Sequence, residues 1–137
     1  MNSKIFINLP VKDLNKSIDF YSKIGFNVNP QFTDSTAACM VYSEEIYVML
    51  LTHNKFMEFT NKPIANTFKT ASVILSLSAE SNDKVNETVQ NALNAGGKEP
   101  TEPRDLGFMM QRSFEDPDGY LWEVFHMDMS KVPQSQN

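Results

Sequence analysis

The sequence predicts an α+β fold in which two βαβββ modules form concave mixed sheets around a cleft. Three observations lead there. The order strand, helix, glycine, then three strands occurs twice, once before about Thr60 and once after it. Each copy ends in a strongly apolar strand, Ile46 to Thr52 and Tyr120 to Met127. A lone βαβββ unit leaves one sheet face uncovered, so two units are expected to pair across those faces. The expected layout is one domain over 1–137: module one at about 4–53, a connector at 54–69, module two at about 70–127 and a tail at 128–137.

Each element has its own local cause. Lys4 to Val11 alternates, with Ile5, Ile7, Leu9 and Val11 on one face and Phe6, Asn8 and Pro10 on the other, which predicts a half-buried strand. Asp13 is a helix N-cap, followed by Leu14, Ile18 and Tyr21 at helical spacing, and Gly25 ends that helix. Strands are predicted over Phe26 to Phe32, Ala37 to Tyr42 and Ile46 to Thr52. His53 to Lys69 lacks a clear period and contains Asn61-Lys62-Pro63, so it reads as a connector with room for a short helix.

The second copy begins with a strand over Ala71 to Ser78. Ser81 or Asn82 caps a helix carrying Val85, Val89, Ala92 and Leu93, closed by Gly96-Gly97. A short strand at Lys98 to Pro100 and a longer one over Gly107 to Phe114 follow. Asp116-Pro117-Asp118-Gly119 then turns the chain into Tyr120 to Met127, because proline presets one dihedral and glycine accepts a positive φ. The polar end, Val132 to Asn137, is expected to fray.

Composition narrows the function classes. With 41% hydrophobic and 21% charged residues, the chain is neither disordered nor a membrane protein in character. No run of 18 apolar residues exists, and the opening Met-Asn-Ser-Lys-Ile-Phe-Ile-Asn-Leu-Pro is not a signal peptide. A formal charge of −5 argues against nucleic-acid and anionic-membrane partners and would favour a cationic small molecule. The single cysteine, Cys39, excludes an intrachain disulfide and fits a cytoplasmic protein.

Two motifs carry a family resemblance. Leu9-Pro10-Val11-Lys12-Asp13-Leu14, with Ser17-Ile18-Asp19-Phe20-Tyr21 and Gly25-Phe26, is one of them. Phe114-Glu115-Asp116-Pro117-Asp118-Gly119-Tyr120-Leu121-Trp122-Glu123 is the other, about one hundred residues later. Together, over Ile5 to Met127, they resemble the vicinal oxygen chelate superfamily of glyoxalases, bleomycin-resistance proteins and extradiol dioxygenases. The resemblance implies a homodimer and, in most members, one divalent metal acting as a Lewis acid on two vicinal substrate oxygens.

The resemblance also implies where ligands to that metal would stand. The first-strand ligand, seven residues before Asp13, falls on Phe6. The last strand of the first module offers Leu50, or Met49 in a register shifted by one, and the second module's first strand offers Val73 beside Ser72 and Ile74. Only Glu123, seven residues after Asp116, has a ligating side chain. A catalytic metal takes about three protein ligands, so no metal cofactor is expected. His126 lies on the strand face opposite Glu123, and His53 stands at a strand end, so neither replaces a missing ligand.

The cleft wall expected from this alignment is Phe6, Asn8, Leu50, Val73, Leu121, Glu123 and Phe125, mostly apolar with one carboxylate and one amide. Glu123 is the one candidate catalytic acid/base group, unless Arg112 or a ligand pairs with it; otherwise it is a carboxylate bonded to neighbouring backbone or tyrosine. Arg104 and Arg112 are read as solvated or salt-bridged, with an anionic ligand as the alternative. Met40, Met49, Met109 and Met110, among eight methionines, supply either an adaptable wall or simply core packing. Three functions follow: a metal-free small-molecule binder of the bleomycin-resistance kind, a metal-dependent lyase or isomerase of the lactoylglutathione lyase kind, or a non-catalytic interaction module. The partners expected are a small molecule and a second copy of the chain.

Overall fold

The structure, a computed structural model, describes residues 2–133. Packing divides the chain into two compact units, Met1–Thr70 and Ala71–Asn137. The first holds β1 (Ile5–Val11), α1 (Leu14–Lys23), β2 (Asn27–Asn29), β3 (Ala37–Val41), β4 (Ile46–Thr52) and a short α2 (His53–Phe56). The second holds β5 (Leu75–Ser78), α3 (Asn82–Asn94), β6 (Arg104–Asp105), β7 (Met109–Glu115) and β8 (Leu121–Met127). The sheets run β1-β4-β3-β2 and β5-β8-β7-β6. In each, the first strand lies parallel to the last and every other pairing is antiparallel. The doubled βαβββ plan is therefore present, as two four-stranded mixed sheets.

Local chemistry sets the ends of these elements. The Asp13 carboxylate accepts from the Lys16 backbone N–H at 3.1 Å and caps α1. Gly25, at φ +113°, takes the left-handed conformation that lets the chain leave the helix. Ser81, not Asn82, caps α3, its hydroxyl accepting from Lys84 N–H at 3.1 Å. In the last hairpin the Asp116 carboxylate accepts from the Asp118 and Tyr120 N–H groups, each at 2.9 Å, and Gly119 turns at φ +86°. Burial, reinforced by the Asp116 and Asp118 carboxylates, pushes the Tyr120 phenol well above its ordinary range and keeps it protonated.

Three strands differ from expectation. The strand expected over Phe26 to Phe32 is only Asn27–Asn29, because Pro30 lacks an N–H and the Asn29 side chain caps a 3-10 turn over Pro30–Phe32. The strand expected from Ala71 starts at Leu75. Lys98 to Pro100 supplies a single bridge, Lys98 to Glu115, and the edge strand is Arg104–Asp105. Pro100 and Pro103 remove the donors a longer ladder needs. Of the tail expected to fray, 134–137 lie outside the described residues, and Met129–Lys131 form a 3-10 turn.

Each sheet buries one face beneath its helix. Strand partners share a face, so Leu9, Leu50 and Ala38 lie together, as do Val48 and Met40; all are buried, and α1 contacts β3 and β4. Phe20 and Tyr21 of α1 complete that core. In the second unit Leu77, Val124, Phe114 and Trp122 are buried, with Val85, Val89 and Ala92 from α3, which contacts β7 and β8. Each sheet thus keeps a second face, clear of its own long helix, for other uses.

Candidate functional site

The face of the first sheet opposite α1 carries Phe6, Asn8, Tyr47 and Met49. Register fixes the grouping: Phe6 pairs with Tyr47, and Asn8 with Met49. Phe6 is 50% exposed and its ring stacks on Tyr47 with centroids 4.5 Å apart and planes 16° apart. The Tyr47 hydroxyl donates to the Glu44 carbonyl at 3.1 Å and accepts from Lys4 Nζ at 3.3 Å, which anchors the pair. Asn8 is exposed, and its amide donates to the Phe6 carbonyl at 3.4 Å.

Leu50 does not belong to this face. It is 0% exposed and shares the helix-covered side with Leu9 and Ala38, so Met49 takes the position expected of it. The reason is the alternation of side chains, under which a shift of one residue moves a side chain to the other face.

On the second sheet, Leu121, Glu123 and Phe125 of β8 share the face opposite α3 with Ser76 and Ser78 of β5. The three β8 residues are half-buried. Ser76 Oγ donates to Glu123 Oε1 at 3.4 Å. Ser113, the β7 partner of Glu123, is buried, and its hydroxyl bonds Thr101 Oγ1 at 2.8 Å. Val73 precedes the strand, is 59% exposed and has no ladder partner; Ser76 occupies the β5 position beside Glu123. The expectation for Val73 is corrected accordingly.

The other charged candidates are accounted for. Arg112 lies on the helix side, paired with Val124, and grips Glu99 with two bonds of 2.9 Å while donating to Asn86 Oδ1 at 3.1 Å. Those bonds to Glu99 hold the guanidinium above its ordinary pKa, so it is a structural cation and no partner of Glu123. His126 pairs with Met110, on the side away from Glu123, and its Nδ1–H donates to the Ala79 carbonyl at 2.9 Å. His53 opens α2 and is exposed. Burial raises the Cys39 thiol pKa, which marks a packed rather than a reactive cysteine.

This donor set does not fit a catalytic divalent metal. The first sheet's open face offers an amide, a phenol and a thioether; on the second sheet's own open face stand the carboxylates Glu123 and Glu115. Among the described residues no three His, Cys, Asp or Glu side chains come together as a metal-binding group. The purified protein is expected to retain no stoichiometric Zn²⁺ or Ni²⁺ after incubation and dialysis. Elemental analysis finding one ion per chain, lost on Glu123→Gln, would overturn that expectation.

Sequence reasoning passed over Tyr47 and Ser76. Both become visible only as cross-strand partners of Phe6 and Glu123, and nothing local marks them.

Comparison with known proteins agrees with this geometry. A hypothetical protein from S. aureus is 25% identical, with a TM-score of 0.77 over 92% of this chain and 94% of that one. TnmS3, an antibiotic binding protein from Streptomyces sp. CB03234, is 17% identical, with a TM-score of 0.64 over 93% and 97%. The fosfomycin resistance protein FosX from Listeria monocytogenes is also 17% identical, with a TM-score of 0.66 over 99% and 96%. The last two share the fold. No curated protein matches the chain. No helix among the described residues is long and apolar enough to cross a membrane. The family description for the Glyoxalase/Bleomycin resistance protein/Dioxygenase superfamily matches residues 5–124. Doubled βαβββ topology, paired motifs and a match over most of the chain meet in one conclusion: the protein belongs to the glyoxalase/bleomycin resistance protein/dioxygenase superfamily.

Proposed function

We propose that this protein binds a small molecule on its open sheet faces without a resident metal, with Glu123 as the polar handle. The observation that carries the reading is the setting of Glu123: a half-buried carboxylate between Leu121 and Phe125, bonded by Ser76 at 3.4 Å. A carboxylate flanked by Leu121 and Phe125, with Glu115 across from Leu121 on the same face, favours a cationic or donor-bearing ligand over an anion. Acid/base chemistry on a ligand is assigned to Glu123, the carboxylate that stands between those two apolar side chains. Structural neighbours described as antibiotic binding and fosfomycin resistance proteins support a small-molecule ligand.

A homodimer belongs to the same reading. Phe59, Phe68, Val73 and Ile74 expose large apolar side chains along and just after the connector, and a second copy of the chain would cover them. The net charge of −5 and the buried free Cys39 support a cytoplasmic protein with no nucleic-acid partner.

The test is a thermal-shift screen of organic cations followed by Glu123→Gln. A ligand at one hundred times its Kd stabilises the native state by about 2.7 kcal/mol. Glu123→Gln is expected to leave the ligand-free melting temperature nearly unchanged and to weaken the best cation roughly tenfold. Unchanged affinity for every cation found would remove Glu123 from the role.

A further inference from the structure

We infer that the helix-covered side of the second sheet holds a separate site, where His126 and Met110 take a soft monovalent metal ion such as Cu(I) or Ag(I). It goes beyond the small-molecule reading, which concerns the opposite face and Glu123.

His126 is prepared as a ligand. Its Nδ1 lies 2.9 Å from the Ala79 carbonyl oxygen, which can only accept, so Nδ1 carries the proton. In the neutral ring the lone pair is then on Nε2, and no group among the described residues bonds that nitrogen. A backbone carbonyl on the other ring nitrogen is the partner that metal-bound histidines characteristically have. It fixes the tautomer and the ring orientation, and it raises the basicity of the free nitrogen. Ala79 is itself anchored to β8, its N–H donating to the Phe125 carbonyl at 2.7 Å, so the imidazole is held in place.

Met110 supplies the second donor. It stands directly across from His126 in the β7–β8 ladder, hence on the same face, and both residues line a cavity of about 240 Å³. Directly opposed residues of an antiparallel pair have β-carbons about 4.5–5.5 Å apart. A methionine side chain turns about three bonds, so its thioether can swing toward a nitrogen that is held still. A thioether with an imidazole suits Cu(I) and Ag(I), which are satisfied by few donors, and not a four-coordinate divalent ion.

The charges around the cavity agree with a cation. Asp83, Asp128 and Lys131 also line it, and Lys131 Nζ lies 3.8 Å from Asp128 Oδ2. With His126 neutral, the two carboxylates outweigh one ammonium and the partial positive charge at the start of α3.

The test uses Ag(I), which keeps its oxidation state in air, added as the nitrate to chloride-free protein. NMR follows the histidine ring nitrogens and the methionine methyl groups. Thiols bind Ag(I) more tightly than either donor, so Cys39→Ala is titrated beside the wild type. In both, His126 Nε2 and the Met110 methyl are expected to shift together and saturate at one ion per chain, with Nδ1 still protonated against Ala79. Met110→Leu, made in Cys39→Ala, keeps the apolar bulk and removes the sulfur. The Ag(I) needed to shift His126 should then rise at least roughly tenfold, a loss commonly seen when even an outer-shell partner is removed. Unliganded melts establish that each variant folds. Should Met110→Leu unfold, His126→Gln followed at the Met110 methyl gives the same reading, with the same expected loss.

A His126 signal that stays fixed in Cys39→Ala while Ag(I) moves other methionines overturns the site. So does a His126 titration that Met110→Leu leaves unchanged, or a Met110 titration that His126→Gln leaves unchanged. None of these outcomes touches Glu123, whose role is read from the organic cations alone.

Discussion

Leu50→Ala is expected to lower unfolding stability by about 2–5 kcal/mol, while Met49→Ala, one residue earlier, costs about 1 kcal/mol or less. Leu50 is fully buried beside Leu9 and Ala38 beneath α1, so truncation opens a cavity that packed neighbours fill only in part. Met49 is half-buried on the other face, next to Asn8, and its loss is partly covered by water. Urea unfolding with an unchanged m-value measures both. The reverse ranking would mean that the two residues have exchanged faces.

Trp122→Ala is expected to cost about 3–5 kcal/mol, the largest single loss in the second unit. The indole is 1% exposed, stacks on Phe114 with centroids 6.1 Å and planes 6° apart, and shares its face with Leu75. Its neighbour Leu121, on the open face, is half-buried, so Leu121→Ala should cost less than half as much. A loss at Trp122 no larger than that at Leu121 would contradict the assignment of the helix-covered face.

The same alternation explains how much of the site could be read in advance. Period-two patterning is local, so alternation puts Phe6 and Asn8 on the face away from Ile7 and Leu9, and the structure has them there. Glu123 and His126 were placed on opposite faces for the same reason. Leu50 was misplaced because matching its strand to Phe6 needs the β1–β4 register, a contact between residues some forty positions apart. Val73 failed differently: the apolar run Val73-Ile74-Leu75 reads as strand, yet pairing begins only at Leu75. An apolar run does not itself say where a partner strand starts.

The order of the main elements, the Asp13 cap, the Asp116–Gly119 turn and the family were legible in the chain's own residues. Each depends on neighbours within a few positions or on residue chemistry alone. Which residues meet across strands was decided only by tertiary packing. Tyr47 beneath Phe6, Ser76 beside Glu123 and Glu99 around Arg112 are long-range pairings. They follow from register and loop closure, which no local pattern encodes.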